Sequence, residues 1–130
     1  MNKTIIFIII GVIILGAGFW AWQSGFFGPN QSQVQPVPIP EGIILFYGDG
    51  CPHCKNVDDF MSQNDILSKI QITQLEVYND KDNQNILAQV AQKCGIATDQ
   101  VGVPFLYDGQ NCTVGDEPII DLLKQKTGIQ

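Results

Sequence analysis

The chain contains no arginine, a single histidine, and no charged residue between Lys3 and Glu41. Each of these gaps excludes something. Seven lysines against 13 acidic side chains leave a net charge of −6, so the chain lacks the basic surface needed to neutralise nucleic-acid phosphates. The uncharged N-terminal stretch cannot supply the polar face of a soluble amphipathic helix. There are no internal repeats. Its 130 residues leave room for one ordinary domain, and a 45% apolar content is enough for a core even though it is unevenly spread.

The longest apolar run, Ile5 to Trp22, reads IIFIIIGVIILGAGFWAW. A run of this length suits one bilayer crossing, which takes about 20 apolar residues. It is longer than the apolar region of a typical signal peptide, it is not followed by a small-residue cleavage pattern, and Trp20 and Trp22 suit the headgroup interface. The expectation is therefore an N-terminal transmembrane anchor over residues 1–27 rather than a cleaved signal. Lys3 and the α-amine place the N-terminus in the cytoplasm by the positive-inside rule. The chain beyond the anchor is then extracytoplasmic, in the periplasm or at the cell exterior, where disulfides persist. Residues 28–41, GPNQSQVQPVPIPE, carry four prolines and read as an extended Pro/Gln-rich spacer.

Residues 42–130 hold all four cysteines and make up the folded domain. Ile43–Tyr47 is a continuous apolar run, as in a strand buried on both faces. From Pro52 to about Gln63, Cys54, Val57 and Met61 share a helical stripe, and Ile66 to Ile70 form a further turn. Ile72–Tyr78 alternates as a second strand. A second helix, capped by Asp82 or Asn83, carries Ile86, Leu87, Val90, Ala91 and Cys94 on one face and ends at Gly95. Val103–Tyr107 is a third strand, Asp108–Asn111 a hairpin turn, and Cys112–Val114 the returning strand. Asp116 caps a last helix with Pro118 in its first turn and Ile119, Ile120, Leu122 and Leu123 as its apolar positions. The order βαβαββα predicts an α/β fold with helices on a mixed four-stranded sheet.

A strand, then Cys51-Pro-His-Cys54 opening a helix, then Val103-Pro104 about fifty residues later before a hairpin, together resemble the thioredoxin-like superfamily. In length and in its ending, GIATDQVGVPFLYDGQ…VGDEPIIDLL, the domain is similar to a glutaredoxin. Its CPHC motif is similar to that of disulfide-forming oxidoreductases of the Dsb type. The resemblance covers about Ile43 to Lys126 and implies helices on both faces of the sheet, a cis Pro104 beside the cysteine pair, and a substrate-binding edge formed by Pro52, Val103 and Pro104. Leu45 departs from the pattern. Thioredoxins and Dsb oxidases commonly place a buried acid at that position, six residues before the first cysteine, to help move the proton of the second.

The thiol chemistry can be argued from the residues themselves. Only a thiolate attacks a disulfide. A sulfur at Cys51 faces the unpaired N–H groups and the positive end of the adjoining helix. Pro52, at the first helical position, forfeits an N–H the helix does not need. His53 adds to the stabilisation of the anion when protonated or donating a hydrogen bond, while Asp49 opposes it. Stabilising the reduced form makes a Cys51–Cys54 disulfide the stronger oxidant. Cys54, one turn along on the apolar stripe, is expected to be the less exposed, resolving thiol. With Leu45 in place of an acid, its proton must leave through water, Asp49 or His53.

Cys94 and Cys112 allow three readings: a structural bridge, favoured by an even cysteine count in an exported domain; a second redox pair; or two small buried apolar residues. A metal site is not expected, because His53 lies between the cysteines and a tetrahedral centre needs a fourth ligand. No cofactor is required. Catalytic residues Cys51, His53 and Cys54 in a membrane-tethered thiol–disulfide oxidoreductase are the outcome. It would act on client proteins, with oxidation favoured, and be reset by a membrane redox partner. The alternatives are a reductase or isomerase, or a non-catalytic binding module of the same fold.

Overall fold

The computed structural model describes residues 37–129, so the expected anchor and the first part of the spacer lie outside the described residues. Among the described residues no helix is long and apolar enough to cross a membrane.

The elements are β1 (Ile43–Tyr47), α1 (Pro52–Gln63), α2 (Ile66–Lys69), β2 (Ile72–Glu76), α3 (Lys81–Lys93), a 3-10 turn at Thr98–Gln100, β3 (Phe105–Tyr107), β4 (Cys112–Val114) and α4 (Asp116–Thr127). The sheet order is β2-β1-β3-β4. β1 runs parallel to β2, with Ile43 opposite Ile72, and antiparallel to β3, with Leu45 opposite Leu106. β3 and β4 form the hairpin. This mixed four-stranded sheet with helices matches the expected thioredoxin-like α/β architecture.

β1 is apolar throughout because it is an inner strand covered on both faces. Ile44 and Phe46 point to one face and pack with Phe105 and with Ile86, Leu87, Val90 and Ala91 of α3. Phe46 and Phe105 meet edge-on, ring centroids 5.9 Å apart. Leu45 points to the other face and packs with Val57 and Met61 of α1, Ile66, Leu106, and Ile119 and Leu123 of α4. The period-two alternation of one strand thus builds both half-cores.

Several boundaries differ from those expected of the sequence, each for a local reason. α3 is capped by Asp80, not Asp82 or Asn83; its carboxylate accepts the N–H groups of Asp82 and Asn83 at 2.9 and 3.0 Å. Gly115, at φ 95°, takes the N-cap of α4 without a side-chain bond, so Asp116 becomes the first helical residue and its carboxylate is free for another partner. β2 stops at Glu76, where the carboxylate begins to bond the next turn. The third strand starts at Phe105, directly after the cis Val103–Pro104 peptide. Val37 and Ile39, within the expected spacer, pack against the α3-side core, and Gln89 donates to the Val37 carbonyl.

Candidate active site

Cys51 is the N-cap residue of α1, with extended backbone (φ −76°, ψ 118°). Its Sγ accepts the N–H of Cys54 at 3.2 Å, one of the amides at this end that the helix itself cannot pair. Pro52 fills the first helical position, as the motif predicts. On its other side the Cys51 thiol donates to the carbonyl of Val103, 3.8 Å away. That carbonyl belongs to the residue before the cis Val103–Pro104 peptide. Pro104 itself is buried, and its carbonyl accepts the N–H of Gly115 at 3.0 Å, tying this loop to the start of α4.

Cys54 lies one turn further on, 7% exposed. Both thiols are free. Burial first, and then the hydrogen bond with Cys51, push the Cys54 pKa up to about 11. A cleft of about 650 Å³ opens beside the pair, lined by both cysteines together with Leu45, Asp49, Lys55, Asp58 and Met61. Leu45 supplies no acid to this cleft, whose carboxylates are Asp49 and Asp58.

His53 does not face the sulfurs. Its Nδ1 hydrogen-bonds the Asp116 carboxylate at 3.0 Å, and 70% of its side chain is exposed. Asp116 also accepts from Asn56 Nδ2 at 2.6 Å. The Asn56 bond first, and then that from His53, hold the Asp116 carboxyl down at about 2. The expected part of His53 in stabilising the anion thus has no direct contact behind it; the histidine instead joins the cysteine-bearing helix to α4. Asn56 and Asp116 escape a sequence reading of the site because Asp116 is 63 residues from His53 and looks like a helix cap.

The other rim of the site comes from the β2–α3 turn. The Glu76 carboxylate accepts from the N–H groups of Tyr78 and Asn79, both at 2.8 Å, and from Asp49 at 3.1 Å. One side chain thereby holds the turn against the loop that precedes Cys51. These bonds lower its pKa against the opposing effect of desolvation, which is the largest single influence. Tyr78 lays its ring on Gly48, so closely that a Cβ there would overlap it. Neither residue stands out in the sequence.

Cys94 and Cys112 lie away from the thiol pair, joined in a disulfide with a Cα–Cα separation of 6.1 Å across 18 residues. It ties the end of α3 to the start of β4.

No protein-family model matches the sequence, and no curated protein matches it. Among solved structures, a buckwheat glutaredoxin–glutathione complex is 20% identical, covering 68% of this chain and 71% of that one at a TM-score of 0.46. A wheat glutaredoxin is 20% identical over 70% of this chain and 79% of that one, TM-score 0.49. The holo form of glutaredoxin C1 from Populus tremula x tremuloides is 16% identical over 68% and 77%, TM-score 0.45. Likeness at this level assigns no activity.

Proposed function

We propose that this protein is a membrane-tethered thiol–disulfide oxidoreductase that exchanges disulfides with client proteins through Cys51 and Cys54. The observation that carries the reading is the asymmetry of the pair. Cys51 is half-buried, with a helix amide on its sulfur, whereas Cys54 is buried and its ionisation is pushed up to about 11. One sulfur is placed to meet a client and the other is withheld.

Oxidation of a client dithiol takes two exchanges. A client thiolate attacks Cys51 of the Cys51–Cys54 disulfide, forming a mixed disulfide and releasing Cys54, which takes up a proton. The second client thiolate then attacks the client sulfur of the mixed disulfide, forming the client disulfide and releasing Cys51. The client loses two electrons and two protons, and the cysteine pair gains them. A membrane redox partner then removes the electron pair and restores the disulfide. The Val103 carbonyl, beside Cys51, supplies a backbone acceptor for an extended client segment, and Pro52 lines the cleft next to the cysteine pair.

The mixed disulfide has a competing fate, attack by Cys54. At pH 7 a thiol of pKa about 11 is ionised to about one part in ten thousand. Burial, the largest cause of that value, persists in the mixed disulfide, and with leucine at position 45 the carboxylates left to take the proton are Asp49 and Asp58 of the cleft. Burial of Cys54 thus slows return to the starting disulfide relative to an ordinary thiol at the same place, which favours the client's second thiol. A reductase would need that same Cys54 attack as its productive step. This partition favours oxidation over reduction. The charge-free run Ile5–Trp22 supports a tether whose N-terminus is cytoplasmic, and the Cys94–Cys112 bridge suits an extracytoplasmic domain.

The test mixes the oxidised full-length protein, in detergent, with a reduced, unfolded protein carrying one cysteine pair. Formation of the client disulfide is expected, with none above background for Cys51→Ser; equal rates with and without Cys51 would refute the assignment. After reduction of intact cells with a membrane-impermeant phosphine, a membrane-impermeant maleimide should label Cys51, and protection of that reduced residue until lysis would overturn the extracytoplasmic placement.

A further inference from the structure

We propose that Tyr78 is a positioning residue of the thiol pair, its phenol donating a hydrogen bond to the Cys51 sulfur anion from the β2–α3 turn. The inference rests on the oxidoreductase reading above and deepens it. Three observations place the tyrosine. The Cδ2–Cε2–Cζ edge of its ring, the edge that carries the hydroxyl, lies against Gly48, whose carbonyl accepts the Cys51 N–H at 3.2 Å. Its own N–H is fixed by Glu76, which also holds the Asp49 N–H of the cysteine loop. It lines a second cleft, of about 280 Å³, together with Val103, the residue whose carbonyl accepts from Cys51.

Tyr78 is 56% exposed, so packing of a core is not its purpose. The electrostatics agree with the geometry: desolvation first, and then the charge that Cys51 and Cys54 carry when ionised, raise the phenol pKa. A phenol kept protonated at neutral pH is a donor, and a thiolate is an acceptor. Gly48 is part of the device, since any larger residue would displace the ring.

A donor to the anion stabilises the reduced pair and so makes the disulfide more oxidising. The full-length protein in detergent is equilibrated in glutathione redox buffers, and the oxidised fraction of Cys51–Cys54 is read by alkylation and mass. For Tyr78→Phe, which keeps the ring, the equilibrium constant should move about tenfold toward the oxidised protein, a potential about 30 mV more negative. Gly48→Ala, which keeps the hydroxyl but pushes the ring aside, should produce a similar change, and adding Tyr78→Phe to it should produce little more. A Tyr78→Phe constant within twofold of the wild type overturns the inference, as does full additivity of the two substitutions. A wild type showing no Cys51–Cys54 couple at any buffer ratio would instead overturn the oxidoreductase reading itself, and this inference with it.

Discussion

Alkylation of the reduced protein tests the asymmetry on which the proposed direction of exchange depends. Iodoacetamide reacts with thiolates, so its rate tracks ionisation and access. At pH 8 a thiol of pKa about 11 is ionised to about one part in a thousand, whereas an ordinary thiol at about 8.5 is ionised to about one part in four. Ionisation alone therefore slows Cys54 by a few hundredfold relative to free cysteine, before its 7% exposure adds a barrier of access. Peptide mapping of samples quenched over time should show Cys51 modified while Cys54 remains a thiol. The rate at Cys54 should rise about tenfold for each pH unit from 8 to 10. Capping Cys51 removes its charge and hydrogen bond but leaves the burial, so the lag of Cys54 should shrink without vanishing. In denaturant the two residues should react alike. Modification of native Cys54 within tenfold of free cysteine at pH 8, or a rate that levels off well below pH 10, would sink both the asymmetry and the partition built on it.

Replacing both residues of the bridge, Cys94→Ala with Cys112→Ala, frees an 18-residue loop and should cost about 3 kcal/mol of stability. For a domain of this size that corresponds to a thermal midpoint lower by about 15 °C in a melting experiment. Client oxidation at 25 °C should survive; its loss in a still-folded double variant would instead make the bridge a second redox pair. Asp116, with a folded-state pKa of about 2 against an ordinary 3.8, favours the fold when ionised. That contribution is full above about pH 4 and disappears as pH falls toward 2. Denaturant titrations should show this acid-side slope reduced in Asp116→Asn, and an identical slope in the variant would contradict the assignment. Glu76→Ala releases three N–H groups, so hydrogen exchange at Asp49 and Asn79 should accelerate while the amides of β1 keep their protection.

The parts of this molecule legible in its sequence are those fixed by local rules. Pro52 after Cys51 marks a helix start by its missing N–H, and the α1 stripe of Cys54, Val57 and Met61 comes from helical period. Ile43–Tyr47 is apolar at every position, which suits only a strand covered on both faces. The parts that are not legible depend on long-range pairing or on a choice between neighbours. Asp80, Asp82 and Asn83 are all competent caps, and only backbone geometry selects Asp80. Asp116 resembles a cap because Gly115 supplies no side chain to compete; in the fold its carboxylate turns to His53 and Asn56. Proximity in the chain suggests that His53 acts on its sulfur neighbour, but residues adjacent on a helix do not face one another, and the imidazole reaches its acid on another helix instead. Glu76 and Tyr78 sit in a turn whose residues carry no motif.

The position of Leu45 connects these observations. It faces the same side of the sheet as α1, and that helix turns Cys54 inward along the stripe that meets Leu45 across the cleft. An acid at this point would be a proton acceptor behind Cys54, whereas leucine extends the apolar half-core up to it. The packing that stabilises the domain on this face and the high pKa of Cys54 therefore have one cause, the withdrawal of the second sulfur from water. Cys51 escapes that environment because it is the N-cap, lying outside the helical stripe, with the Cys54 amide on one side and the Val103 carbonyl on the other. Three residues of chain thus span the boundary between core and site. A pair divided in this way leaves one sulfur half-buried at the helix start and the other withdrawn into the core, the asymmetry on which the proposed direction of exchange rests.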